Sequence, residues 1–219
     1  MSYAIDLIVL TADGQIEAAL KGILCRCDSL RIAKPRCGFY RHPSHDSGCL
    51  REAHLFLAAQ SRRAGHALIV FDRRGCGREE LARVELEQMV ERNLAETGWR
   101  DRSAVVVLDP ELEIWVWSDS PEVEACLGWD PPTGNLRRQL QAQGLWDPDG
   151  PKPSQPKEAL LWALRQVDKR PSAAIFEDLA QRVSFRRCSD PAFQKLCAVL
   201  RNWFPDSGTA SSTTKGVCP

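Results

Sequence analysis

No run of ~18 apolar residues occurs anywhere in this 219-residue chain, which excludes a helical membrane span. No CxxC pair occurs, and the nine cysteines are odd in number. A complete set of intrachain disulfides and the common zinc-finger spacings are therefore excluded. GxSxG is absent, and no Ser-His-Asp or Cys-His pattern stands out, which removes the usual nucleophile-based hydrolases. The formal net charge is zero, so no overall field draws the chain to nucleic acid. The first residues carry neither a basic region nor a separate apolar segment. The expected location is the cytoplasm, with thiols reduced and mostly buried. One cluster keeps ligand chemistry at loop-like spacing: Cys37, His42, His45 and Cys49 stay open as a zinc candidate.

Hydrophobic residues make up 43% and charged residues 26% of the chain, ordinary values for a globular domain. The charge is unevenly placed. Met1–Gly150 holds 18 Lys and Arg against 23 Asp and Glu, and Pro151–Pro205 holds 10 against 5. Two readings stand side by side: metals at one end and a phosphate backbone at the other, or two surfaces attracting each other across an internal interface.

Hydrophobic periodicity predicts strands at Tyr3–Ala12, Leu30–Arg36, Ala67–Phe71 and Ala104–Leu108, separated by helices at Ile16–Leu24, Leu50–Arg63 and Gly75–Gly98. The remainder reads as helices punctuated by proline and glycine, near 121–127, 136–143, 157–167, 172–183 and 191–203. Alternating strands and helices predict an α/β domain with a mainly parallel sheet over residues 1–117. A helical region over 118–205 packs on it, and a polar tail over 206–219 is disordered.

Three predicted strands end in aspartate: LIVLTAD at Asp13, ALIVFD at Asp72 and AVVVLD at Asp109. In a parallel sheet these ends share one edge, outside which ligands bind. Glu17 follows Asp13 by four residues, and Glu113 follows Asp109 likewise, with Glu111 between. Such crowding of carboxylates favours a hard cation, Mg²⁺ or Mn²⁺. Each aspartate also suits a helix N-cap, Asp109-Pro110 especially. Arg73, Arg74 and Lys157 are candidate phosphate ligands or, equally, ion-pair partners on a solvated face. Gly75 and Gly77 suit either phosphate approach at a helix start or a tight turn.

These residues resemble a known family. Asp13-Gly14-Gln15-Ile16-Glu17 is similar to the acidic-Gly-x-x-Glu opening of TOPRIM-like domains, and Phe71-Asp72-Arg73-Arg74-Gly75 to their DxD-bearing strand end. Asp109–Trp115 resembles the E-x-E-x-W stretch of a related group of bacterial domains. Cys188-Ser189-Asp190-Pro191-Ala192-Phe193 resembles that group's closing Cys-Pro-x-Phe-like segment. Together they resemble the small TOPRIM-like component of bacterial methylation-associated anti-phage defence systems. The resemblance implies a Rossmann-like sheet that binds Mg²⁺ through Asp13, Glu17, Asp72 and Asp109, with Glu111 or Glu113. It implies a nuclease or phosphoesterase acting beside other defence proteins. Two departures stand out: Asp13 replaces the family's Glu, and Arg74 replaces the second Asp of DxD. The second departure keeps a non-catalytic adaptor or sensor as the alternative.

Overall fold

A computed structural model describes residues 3–118, 120–129 and 134–206. Four parallel strands form the sheet in the order β2-β1-β3-β4: β1 Ile5–Thr11, β2 Cys37–Arg41, β3 Ala64–Asp72 and β4 Ser103–Leu108. Leu7–Leu10, Ala67–Phe71 and Val105–Leu108 are fully buried, as expected where helices cover both faces of a parallel sheet. The α/β, Rossmann-like reading holds, and so does the helical C-terminal region. Of the tail expected over 206–219, only Asp206 falls among the described residues.

The connections set the layers. β1 leads through α1 (Gly14–Leu24) and the short α2 (Cys27–Leu30) to β2 on one side. β2 leads back through α3 (His45–Leu57) to β3, and β3 through α4 (Arg83–Leu94) to β4 on the other. Right-handed crossovers then put α1 on one face and α3 and α4 on the opposite face. The chain reverses direction between β1 and β3, so the topological switch point lies there.

The helical region continues through α5 (Glu113–Val116), α6 (Glu122–Leu127), α7 (Leu136–Ala142), α8 (Pro156–Gln166), α9 (Ala173–Arg182) and α10 (Pro191–Trp203). α9 lies along α1, and Gly22 permits this close approach. A Cβ there would stand 2.7 Å from both the Ala180 Cβ and the Glu177 carbonyl. Asp190 caps α10, accepting from Ala192 and Phe193 N–H, and also accepts from the Trp115 indole.

Three expected elements moved; the helix expected over Leu50–Arg63 is α3, His45–Leu57. The second strand is Cys37–Arg41, not Leu30–Arg36. Leu30 closes α2, Arg31 adopts a left-handed backbone (φ 59°), and Asp6 holds Arg36 by backbone and side chain. The helix expected from Gly75 begins only at Arg83. Gly75 and Gly77 have φ of +90° and +82°, which no α-helix accommodates. The intervening loop is held by Arg73, which donates to the Glu79 and Leu81 carbonyls.

Candidate functional site

The C-terminal ends of β1 and β3 are neighbours across the switch point. Thr11 pairs with Val70, and Asp13 and Asp72 follow directly. Asp13 caps α1, its Oδ1 accepting from Gln15 N–H (2.8 Å) and Ile16 N–H (2.9 Å). Asp46, in the first turn of α3, accepts the Asp72 N–H through Oδ1 at 2.8 Å. Asp72 in turn accepts the Leu112 N–H through Oδ1 at 2.9 Å. That bond draws the segment after β4 back over the edge and delivers Glu111 and Glu113, which are 1% and 5% exposed.

Four carboxyl groups thus gather around that of Asp72. Burial raises its pKa well above the ordinary carboxylate value, and Asp46, Glu113, Asp13 and Glu111 push it further the same way. Glu113 and Asp46 are also raised, in each case chiefly by burial.

Two cations face this group. Arg74 Nη1 lies 3.1 Å from Glu111 Oε1 and 3.5 Å from a Glu158 oxygen. Lys157 Nζ lies 4.0 Å from Glu111 Oε2. Arg74 thus brings a positive charge of the chain itself to this edge. The charge asymmetry between the two sequence segments resolves inward at two places. Lys157 and Glu158 on α8 meet Glu111 and Arg74, and Lys195 on α10 meets Glu87 and Glu91 on α4.

The predicted site residues divide. Asp13, Asp72, Glu111 and Glu113 come together, with Arg74 and Lys157 beside them. Asp109 does not cap a helix. Arg73 Nη1 holds both its oxygens, at 3.0 and 3.3 Å, so Arg73 is tied to Asp109 and to its own loop. Glu17 pairs with Lys21 and Arg41. The Gly75 and Gly77 amides are taken by Glu79 Oε1 at 2.8 and 3.3 Å and stand in a loop, away from any helix start. The zinc candidate dissolves: Cys49 is fully buried in the core, and Cys37 lies in a strand with its thiol pushed up to about 11 by burial. Among the described residues, no three His, Cys, Asp or Glu side chains are arranged to hold a metal ion.

Asp46, which the sequence places just beyond the second strand with His42 and His45, does reach this edge, from the first turn of α3. His45, just before it, has φ 51° and its Nδ1 3.2 Å from the Ala12 carbonyl.

Compared with known proteins, the chain matches no protein-family model, no curated protein and no solved structure. Fold and site therefore define a class only: an α/β protein with a cluster of carboxylates at the switch point of a four-stranded parallel sheet. No helix among the described residues is long and apolar enough to cross a membrane.

Proposed function

We propose that this chain is a cytoplasmic component of a bacterial anti-phage defence system, built on a TOPRIM-like sheet. Its acidic edge serves as a non-catalytic adaptor or sensor surface. The carrying observation is Arg74, which meets Glu111 at 3.1 Å and Glu158 at 3.5 Å. A guanidinium at the DxD position offsets part of the edge's negative charge from within and opposes a second metal ion there. Asp13 and Asp72 already serve backbone N–H groups, at the start of α1 and at Leu112. The partners are other proteins of the same system.

A second reading is favoured by the crowding around Asp72. In it the edge is a Mg²⁺- or Mn²⁺-dependent nuclease or phosphoesterase site acting on nucleic acid. The donor set fits a hard cation in kind, all carboxylate oxygen. Asp13, Asp72 and Glu113, which are not arranged around one ion in this structure, would have to draw together to hold it, with Asp46 beside them. A bound cation supplies Lewis acidity and a more acidic water. Arg74 and Lys157, about half exposed, would then hold phosphate oxygens.

Thermal melting with and without Mg²⁺ or Mn²⁺, run beside a nuclease assay, separates the two. The adaptor reading expects no metal-dependent rise in midpoint and no cleavage in wild type. It expects a rise to appear in Arg74→Asp, which rebuilds DxD. A wild-type rise that Asp72→Asn abolishes, with cleavage, would establish the second reading and end the first.

A further inference from the structure

The two outer edges of the sheet differ in chemistry. On β4, the outward amides are occupied: Val105 N–H donates to Glu91 Oε1 at 2.9 Å and Val107 N–H to Glu87 Oε1 at 3.1 Å. Lys195 on α10 bridges both carboxylates, and Arg83 pairs with Glu87. α4 therefore closes that edge against another strand.

Among the described residues, no side chain accepts from an outward amide of β2. Leu7 N–H donates to the Arg36 carbonyl (3.2 Å) and His42 N–H to the Thr11 carbonyl (2.9 Å). Hydrogen bonding alternates along a strand, so the backbone groups of Cys37, Phe39 and Arg41 point out of the sheet. Apolar groups flank this edge on both faces. Phe39 lies under the Lys21 ammonium, 5.2 Å from ring centre to nitrogen. On the other face Tyr40 meets Phe56 edge-on at 6.3 Å. Phe56 is 37% exposed and its neighbour Leu55 is 65% exposed.

We infer that β2 is a homodimer edge: two copies pair β2 antiparallel across a two-fold axis at Phe39, joining their sheets into one. The register is self-complementary. With Phe39 opposite its own copy, Cys37 falls opposite Arg41 of the second copy, and every outward amide and carbonyl finds a partner in bonded pairs. No like charges oppose each other, which an axis at Arg41 would not achieve. Phe56 and Leu55 of the two copies approach on one face, and the apolar surface that each leaves to solvent becomes a shared strip. An isologous contact of this kind closes at two subunits. It is independent of whether the acidic edge cuts phosphodiesters.

Sedimentation velocity of the full chain over a concentration series tests this. Wild type is expected to show a concentration-dependent dimer. Phe39→Lys places two ammonium groups on the axis and should weaken association roughly tenfold or more, while a cooperative melt shows that the chain still folds. Phe39→Cys brings two thiols together at a bonded-pair Cα separation of about 5.5 Å, within disulfide range. Mild oxidation should give a covalent dimer well above the wild-type background from exposed Cys25. A monomeric wild type would overturn the inference, and so would a dimer that survives folded Phe39→Lys. Should Phe39→Lys fail to fold, Phe39→Cys decides alone: no cross-link beyond wild type rejects the β2 axis.

Discussion

Along the outer side of β4, Glu87 and Glu91 face Arg83 and Lys195 and accept two strand amides. At the C-terminal edge, Asp13, Asp46, Asp72, Glu111 and Glu113 face only Arg74 and Lys157. Both groups are largely withdrawn from water, and both consist of carboxylates set against a parallel sheet. The first has a cation for each carboxylate; the second has more carboxylates than cations. The surplus appears as raised pKa values at Asp72, Asp46 and Glu113. A group balanced in this way is a clamp. One left unbalanced stores a demand for positive charge, met by protons, by a cation or by a basic partner.

Removing the clamp's lysine should do the most damage. Lys195→Met leaves Glu87, 2% exposed, short of a charge partner. Breaking a buried pair costs about 3 kcal/mol, which lowers the thermal midpoint by roughly 6–12 °C for a chain of this size. A melt within 2 °C of wild type would show that Arg83 and the strand amides suffice. At the crowded edge the sign reverses. Asp72→Asn keeps an acceptor for the Leu112 N–H and removes a charge from among like charges. It should raise the midpoint at neutral pH by roughly 2–4 °C, on the order of 1 kcal/mol.

The pH dependence follows from the same group. The folded pKa of Asp72 lies above its unfolded value, so the folded chain holds the proton longer. Stability contributed this way falls as pH rises from the unfolded carboxylate value through the folded one. Wild type should therefore lose stability over that window more steeply than Asp72→Asn, as measured by urea midpoints at stepped pH. Parallel slopes would mean that Asp72 ionises like a solvated carboxylate. The smallest effect is expected at Glu17, whose partners Lys21 and Arg41 are substantially exposed. Glu17→Gln should change stability by under about 1 kcal/mol, and a larger loss in a melt would place Glu17 with the crowded group.

Sequence pattern located β1, β3 and β4 because their apolar runs are buried on both faces. β2 escaped it: Cys-Gly-Phe-Tyr-Arg is a half-exposed edge strand with no β-branched residue. The convergence of Asp13 and Asp72 was legible from strand ends alone, since parallel strands share an edge. Asp109 was misplaced because the sequence does not show that Arg73, on the neighbouring strand end, would take it. Glu87 and Glu91 carry no sequence signal that separates them from other helix carboxylates. Only the sheet order, which leaves β4 outermost beside α4, makes them strand partners.

Gly22 has a mechanical consequence. At the contact between α1 and α9, no side chain separates the α1 backbone at Gly22 from Ala180 and Glu177. Two helices meeting backbone to backbone cannot slide on flexible side chains, so they transmit force as one strut. The N-cap of that strut is Asp13, at the acidic edge. The position of α9 is therefore coupled through Gly22 to the helix whose first turn Asp13 holds.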